Sequence, residues 1–82
     1  MKGKVYERRR PGRLQRVFAG NVLALRTKLG LTQDELADKC GYHRTYVGSI
    51  ERGERNATLA TVEAFAAALN VPPHSLLAEP YE

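Results

Sequence analysis

The chain of 82 residues carries 13 Lys or Arg against nine Asp or Glu, for a net charge of +4, with 43% apolar residues and a single cysteine. That length supports one small core and is too short for a deep catalytic cleft, so function is expected on a surface and binding is favoured over chemistry. Lone Cys40 excludes an internal disulfide framework, and a zinc site would have to draw on His43 and His74, which lack paired ligand spacing, so neither metal nor cofactor is expected.

No apolar run approaches the length of a membrane span, and the basic start MKGKVYERRR is not followed by a signal-type hydrophobic region. A cytoplasmic protein with no membrane partner is therefore expected. Its charge is polar along the chain: residues 1–30 hold nine basic side chains and one acid, Glu7, for +8, and the remainder stands at −4. Such asymmetry suits a polyanionic partner met by one end of the molecule, or else a solvated basic tail.

Residues 1–12, with Gly3, Pro11 and Gly12 among the charges, have no periodicity and read as a flexible basic arm. From residue 13 to 79 the pattern is helical, and 80–82 form a short tail. Leu14, Phe18, Val22, Leu25 and Leu29 trace one face of a first helix, which Gly30 stops. Thr32 and Glu35 form a capping-box signature for a second helix burying Leu36, Ala37 and Cys40 and ending at Gly41. Nothing near Cys40 would lower its pKa, so it reads as core filler.

A third helix spans about His43 to Arg52 and closes at Gly53. Thr58 caps a fourth, with Leu59, Val62, Phe65, Ala66 and Leu69 as its inward stripe, and Asn70 with Pro72 ends it. Pro73 suits the first position of a short fifth helix carrying Leu76 and Leu77. The expected fold is all-α, a compact bundle of five short helices.

The third helix, within CGYHRTYVGSIERG, concentrates donors. Advancing about 100° per residue, Arg44, Thr45, Gly48 and Ser49 fall on one side, opposite Tyr46, Val47 and Ile50. A narrow outer face of one long cation, two small hydroxyls and a glycine suits the major groove of DNA, where Arg44 can grip guanine, Thr45 can place its methyl on thymine and Ser49 can donate or accept. Gly48 costs about 1 kcal/mol of helix propensity relative to alanine, and close backbone approach is the reason expected for it.

Leu36, Gly41 and Ile50 fall at the spacing of a helix-turn-helix. The segment LTQDELADKCGYHRTYVGSIERGERNATLATVEAFAAALNV, residues 31–71, closely resembles the helix-turn-helix regulators of the phage repressor and Cro type, also called the xenobiotic-response-element type. Within them, HRTYVGSIERGERN is most similar to the controller proteins of restriction-modification systems, small homodimers that time expression of an endonuclease behind its methyltransferase.

This resemblance implies a lambda-repressor-like bundle acting as a transcription regulator on double-stranded DNA. It implies base reading by Arg44, Thr45 and Ser49, with Gly48 between them, and backbone contacts by Gln33, His43, Tyr46, Arg52, Arg55 and Asn56. Free amides at the start of the second helix agree with a phosphate there. Asp34 and Glu35, in the same turn, should point away from DNA. Glu51 matches the glutamate that pairs with a first-helix arginine, here Arg26, a structural role. The chain departs from the pattern at Ala57, where proline is usual, and at Gly48, where serine is common.

The family's two-fold symmetry implies a homodimer, for which Val71, Leu76, Leu77 and Tyr81 are the candidate patch, unless they only close the bundle. An activator would also need a surface for RNA polymerase; Glu35, Asp38 and Glu54 are candidates that inspection does not separate. The same fold also serves phage-type repressors and antitoxin-type modules that mask a protein partner. An enzyme is not expected, since no nucleophile, base and acid share a pocket.

Overall fold

The computed structural model describes residues 12–79, so residues 1–11 of the expected arm and the tail at 80–82, with Tyr81, lie outside the described residues. Four α-helices follow in order: α1 Arg13–Lys28, α2 Gln33–Cys40, α3 Arg44–Glu51 and α4 Leu59–Leu69. Among the described residues there is no strand.

Each boundary has a local cause. The α2 start is a complete capping box, Thr32 Oγ1 accepting from the Glu35 amide at 3.0 Å while Glu35 Oε1 accepts from the Thr32 amide at 2.8 Å. Thr58 Oγ1 accepts from the Thr61 amide at 3.1 Å to open α4, and Asn70, at φ 61, turns the chain out of it. After α3 the chain doubles back through Gly53 at φ 74: the Gly53 amide donates to Ile50 O and the Glu54 amide to Ser49 O, satisfying two carbonyls the helix leaves free.

The expected fifth helix is a single 3₁₀ turn, Pro73–Leu77, making four α-helices rather than five. A segment of five residues leaves no length for an α-type ladder. It closes instead through the Ser75 amide to Pro72 O at 3.0 Å. Asn21 of α1 donates to Leu76 O and Ala78 O at 2.8 and 2.9 Å, and Arg13 pairs with Glu79, so α1 holds this end of the chain along its length.

The core joins Phe18 and Val22 of α1, Leu36 of α2, Val47 and Ile50 of α3, Val62, Phe65 and Leu69 of α4, and Leu76 of the 3₁₀ turn. The helical stripes are in phase but overrun their partners. Leu14 and Leu29, at the two ends of the α1 stripe, are exposed, as is Leu59, which at 83% exposure is not the inward residue expected of it. Apolar spacing reports which side of a helix faces inward and carries no information about where the neighbouring helix stops.

One buried polar side chain ties the core together. Thr61, 3% exposed, shares its hydroxyl with Tyr42 Oη at 3.3 Å, Tyr46 Oη at 3.1 Å and Thr58 Oγ1 at 3.1 Å. One donor hydrogen and two lone pairs can serve three such partners. The Tyr42 ring packs on Tyr46 at 4.8 Å and on Phe65 at 5.8 Å, linking the turn before α3 to α4. Thr61→Val, which keeps the shape and removes these partners, is expected to cost about 1–3 kcal/mol, measurable as a lower urea midpoint at unchanged m-value.

Candidate nucleic-acid interface

The two helices α2 and α3 meet across Gly41, at φ 77, and His43, whose Nδ1 accepts from the Thr45 amide at 3.1 Å to cap α3. Their relative placement is fixed by one carboxylate. Glu51 Oε2 accepts from Arg26 Nε at 2.6 Å, and Oε1 accepts from Arg26 Nη2 at 3.0 Å and Gln33 Nε2 at 2.9 Å. Arg26 Nη1 donates in turn to Leu31 O at 2.8 Å. The end of α1, the connection to α2, the first residue of α2 and the last of α3 are thereby held at one point. The Glu51 side chain is 4% exposed and that of Arg26 14%. Hydrogen bonding to Glu51 raises the Arg26 pKa further, outweighing desolvation. Gln15 Nε2 adds a bond to Gly53 O at 2.7 Å, tying α1 to the turn behind α3.

On this frame α3 presents less than its sequence suggests. Arg44 and Thr45 are exposed, and Val47 and Ile50 are buried on the opposite side. Ser49 is 6% exposed and donates to Tyr46 O at 2.7 Å, so its hydroxyl is turned into the protomer and is not on the outer edge. At about 140° from Arg44 it lies on the flank that the chain re-covers as it doubles back through Gly53 and Glu54. Gly48 is buried too and is no open notch for DNA. A Cβ there would lie 3.1 Å from Arg52 Nη1 and 3.6 and 3.8 Å from Gln33 Oε1 and Nε2, so side chains of its own protomer cover it.

Around this edge the cations are already engaged. Arg44 Nε lies 3.4 Å from Asp34 Oδ1, which places Asp34 beside the candidate reading residue rather than turned away from it. Arg52 donates to Glu54 through Nε at 3.0 Å and Nη2 at 3.2 Å, which holds the Glu54 carboxyl below its usual range. The Arg55 guanidinium stands 5.3 Å from the centre of the Tyr46 ring. Tyr46 is half-buried with its hydroxyl committed to Thr61, while His43, Arg55 and Asn56 are exposed. None of these pairings was legible in the sequence: Asp34 and Arg44 stand on different helices, and the two-residue separation of Arg52 and Glu54 becomes a contact only through the reversal at Gly53.

Of the residues expected to self-associate, Leu76 is fully buried in its own core, where it packs under α1 and α4, and so is not part of an outer patch. Val71 and Leu77 are half-buried. The Cys40 thiol is half-buried, and burial pushes its pKa up to about 11. Among the described residues no cluster of His, Cys, Asp or Glu is arranged to hold a metal ion, and no helix is long and apolar enough to cross a membrane.

The family model described as helix-turn-helix matches residues 22–76, from the middle of α1 through the 3₁₀ turn. The chain belongs to the helix-turn-helix family. Among similar members, control protein C.SmaI of Serratia marcescens is 45% identical over 78% of this chain and 76% of its own length. The crystal structure of a hypothetical transcription factor from Neisseria superposes with a TM-score of 0.81 at 40% identity, covering 92% of this chain and 86% of that one. The restriction-modification controller protein C.Esp1396I, crystallised as a tetramer with its natural 35 base-pair operator, superposes with a TM-score of 0.73 at 31% identity over 78% of this chain and 84% of that one. In helix-turn-helix terms α2 and α3 are the two paired helices, and Arg44 and Thr45 at the start of α3 are exposed.

Two measurements probe this frame. Glu51→Ala strands a largely buried guanidinium, and chemical denaturation should show a loss of about 3–5 kcal/mol. Because a raised thiol pKa means less thiolate at any given pH, alkylation of Cys40 at pH 8 should run on the order of a hundredfold slower in the folded protein than in the urea-unfolded chain.

Proposed function

We propose that the chain is a sequence-specific regulator of transcription that binds double-stranded DNA as a homodimer on a pseudo-palindromic operator, in the manner of a restriction-modification controller. It acts in the cytoplasm by binding alone, without catalysing a reaction. The observation that carries this reading is the exposed start of α3, where Arg44 and Thr45 reach solvent from a helix whose other end is locked by Glu51. A recognition helix meets base edges with its N-terminal residues, and the free residues here are at that end.

Arg44 reads guanine through two parallel hydrogen bonds, and Thr45 contributes its methyl and hydroxyl to a neighbouring base. The Gln33 main-chain amide at the α2 start, His43 at the α3 cap, and Arg55 and Asn56 in the following loop flank that turn and contact phosphate, fixing register without choosing sequence. The ion pair of Arg44 with exposed Asp34 is weak enough to be exchanged for a base. The operator complex of C.Esp1396I supports the reading for a protein of the same fold.

Selecting bound duplexes from a randomised pool tests the proposal. An inverted repeat with half-sites about one helical turn apart is expected, together with a dimer by light scattering at micromolar concentration; no enrichment, or a monomer on the enriched duplex, overturns it. On that duplex Arg44→Ala should cost about 1–3 kcal/mol and relax discrimination at one base pair, whereas equal losses on selected and random DNA would remove Arg44 from base reading.

A further inference from the structure

Arg44, Gly48 and Arg52 stand four residues apart along α3 and its C-cap, and Arg52 keeps helical backbone angles, φ −86 and ψ −1. Their side-chain directions therefore share one side of the helix. Long helical side chains lean toward the N-terminus, and Arg52 does so over Gly48, its Nη1 lying 3.1 Å from where a Cβ of residue 48 would be. Four residues of helix rise about 6 Å. The Arg52 guanidinium is thus carried one turn back from its own Cα, out of the C-terminal end of α3 and toward the half that a recognition helix inserts in the groove.

Glu54 takes the Nε and Nη2 positions of this guanidinium. That leaves the Nη1–Nη2 end for another planar pair of acceptors, which is what O6 and N7 of guanine present in the major groove. Gly48 explains itself in the same way: any side chain there would meet Arg52 before it met DNA.

We propose that Arg52 is a second base-reading side chain directed at a guanine edge, that Gly48 is the slot it lies in, and that Glu54 is the positioning residue that holds it there. The proposal rests on the DNA-binding reading above. Arg44 leans the same way and the eight residues between the two rise about 12 Å, so with about 3.4 Å between successive base pairs the base pair read by Arg52 is a different one, within about four steps of that read by Arg44. Ser49, turned inward, takes no part.

The test uses the full chain and its selected duplex, with single-base variants of that duplex and a random duplex as probes. Arg52→Ala should lower discrimination on the order of ten- to hundredfold at one base pair, a different one from the pair relaxed by Arg44→Ala, while affinity for random duplex changes much less. Gly48→Ala should relax that same base pair although its melting temperature stays at or above that of the wild type, because alanine favours helix and the new Cβ meets only the ends of flexible side chains. Glu54→Ala should relax it several-fold without lowering the melting temperature.

Equal losses on selected and random duplex in Arg52→Ala would make Arg52 a phosphate contact and overturn the proposal. Unchanged base preference in Gly48→Ala overturns the slot, and in Glu54→Ala the positioning role. If the wild-type chain enriches no sequence at all, the DNA-binding reading has failed before any variant is made, and this inference fails with it.

Discussion

The Glu51 carboxylate is the point on which the arrangement of helices depends. Its two oxygens accept three hydrogen bonds from two side chains, Arg26 and Gln33, that come from different helices. A carboxylate this deeply buried is stable only when so satisfied, and the guanidinium beside it likewise discharges a third donor on Leu31 O. Short helices joined by tight turns have little area with which to fix their mutual angle. A directional polar joint supplies what so small a core does not, because its hydrogen bonds weaken steeply once α1, α2 or α3 moves out of alignment.

With its far end pinned, α3 exposes Arg44 and Thr45 at its start, and the polar edge expected to run the length of the helix is interrupted. Ser49 and Gly48 are inside the protomer, one through the return of the chain behind α3, the other under the side chains of Arg52 and Gln33. Two of the exposed cations beside that edge are matched by an exposed acid, Arg44 by Asp34 and Arg52 by Glu54. Exposed pairs of this kind add little to stability. They hold long side chains near a defined geometry without tethering them against a stronger partner.

Much of the fold could be read from residues alone because its signals are local. The capping box at Thr32, the cap at Thr58, the terminating Gly41 and Asn70, and the phase of Val47 and Ile50 all depend on neighbours within one turn. What escaped depends on where elements end. Leu59, Leu14 and Leu29 continue their stripes past the neighbour they would need, and the segment after Pro72 is too short to become an α-helix. Angular position around α3 placed Ser49 outward, since a helical wheel ignores the chain that returns after Gly53. Thr61 was invisible for a related reason: a threonine in an apolar stripe gives no sign that two tyrosines from another part of the chain will converge on its hydroxyl.

That convergence has a mechanical consequence. Tyr46 belongs to α3, Tyr42 to the turn ahead of it and Thr58 to the start of α4, and all three are clasped by one oxygen. With the Glu51 joint at its opposite end, α3 has no independent swivel, and the fold behaves as a stiff caliper arm. A pair of such arms joined at a common hub would sense not only the letters of each half-site but the gap between them, since inserting one base pair turns the second half-site by about 34° about the duplex axis. The strain would fall on the hub or on the duplex, and spacing would be discriminated by elasticity where no side chain touches the intervening bases.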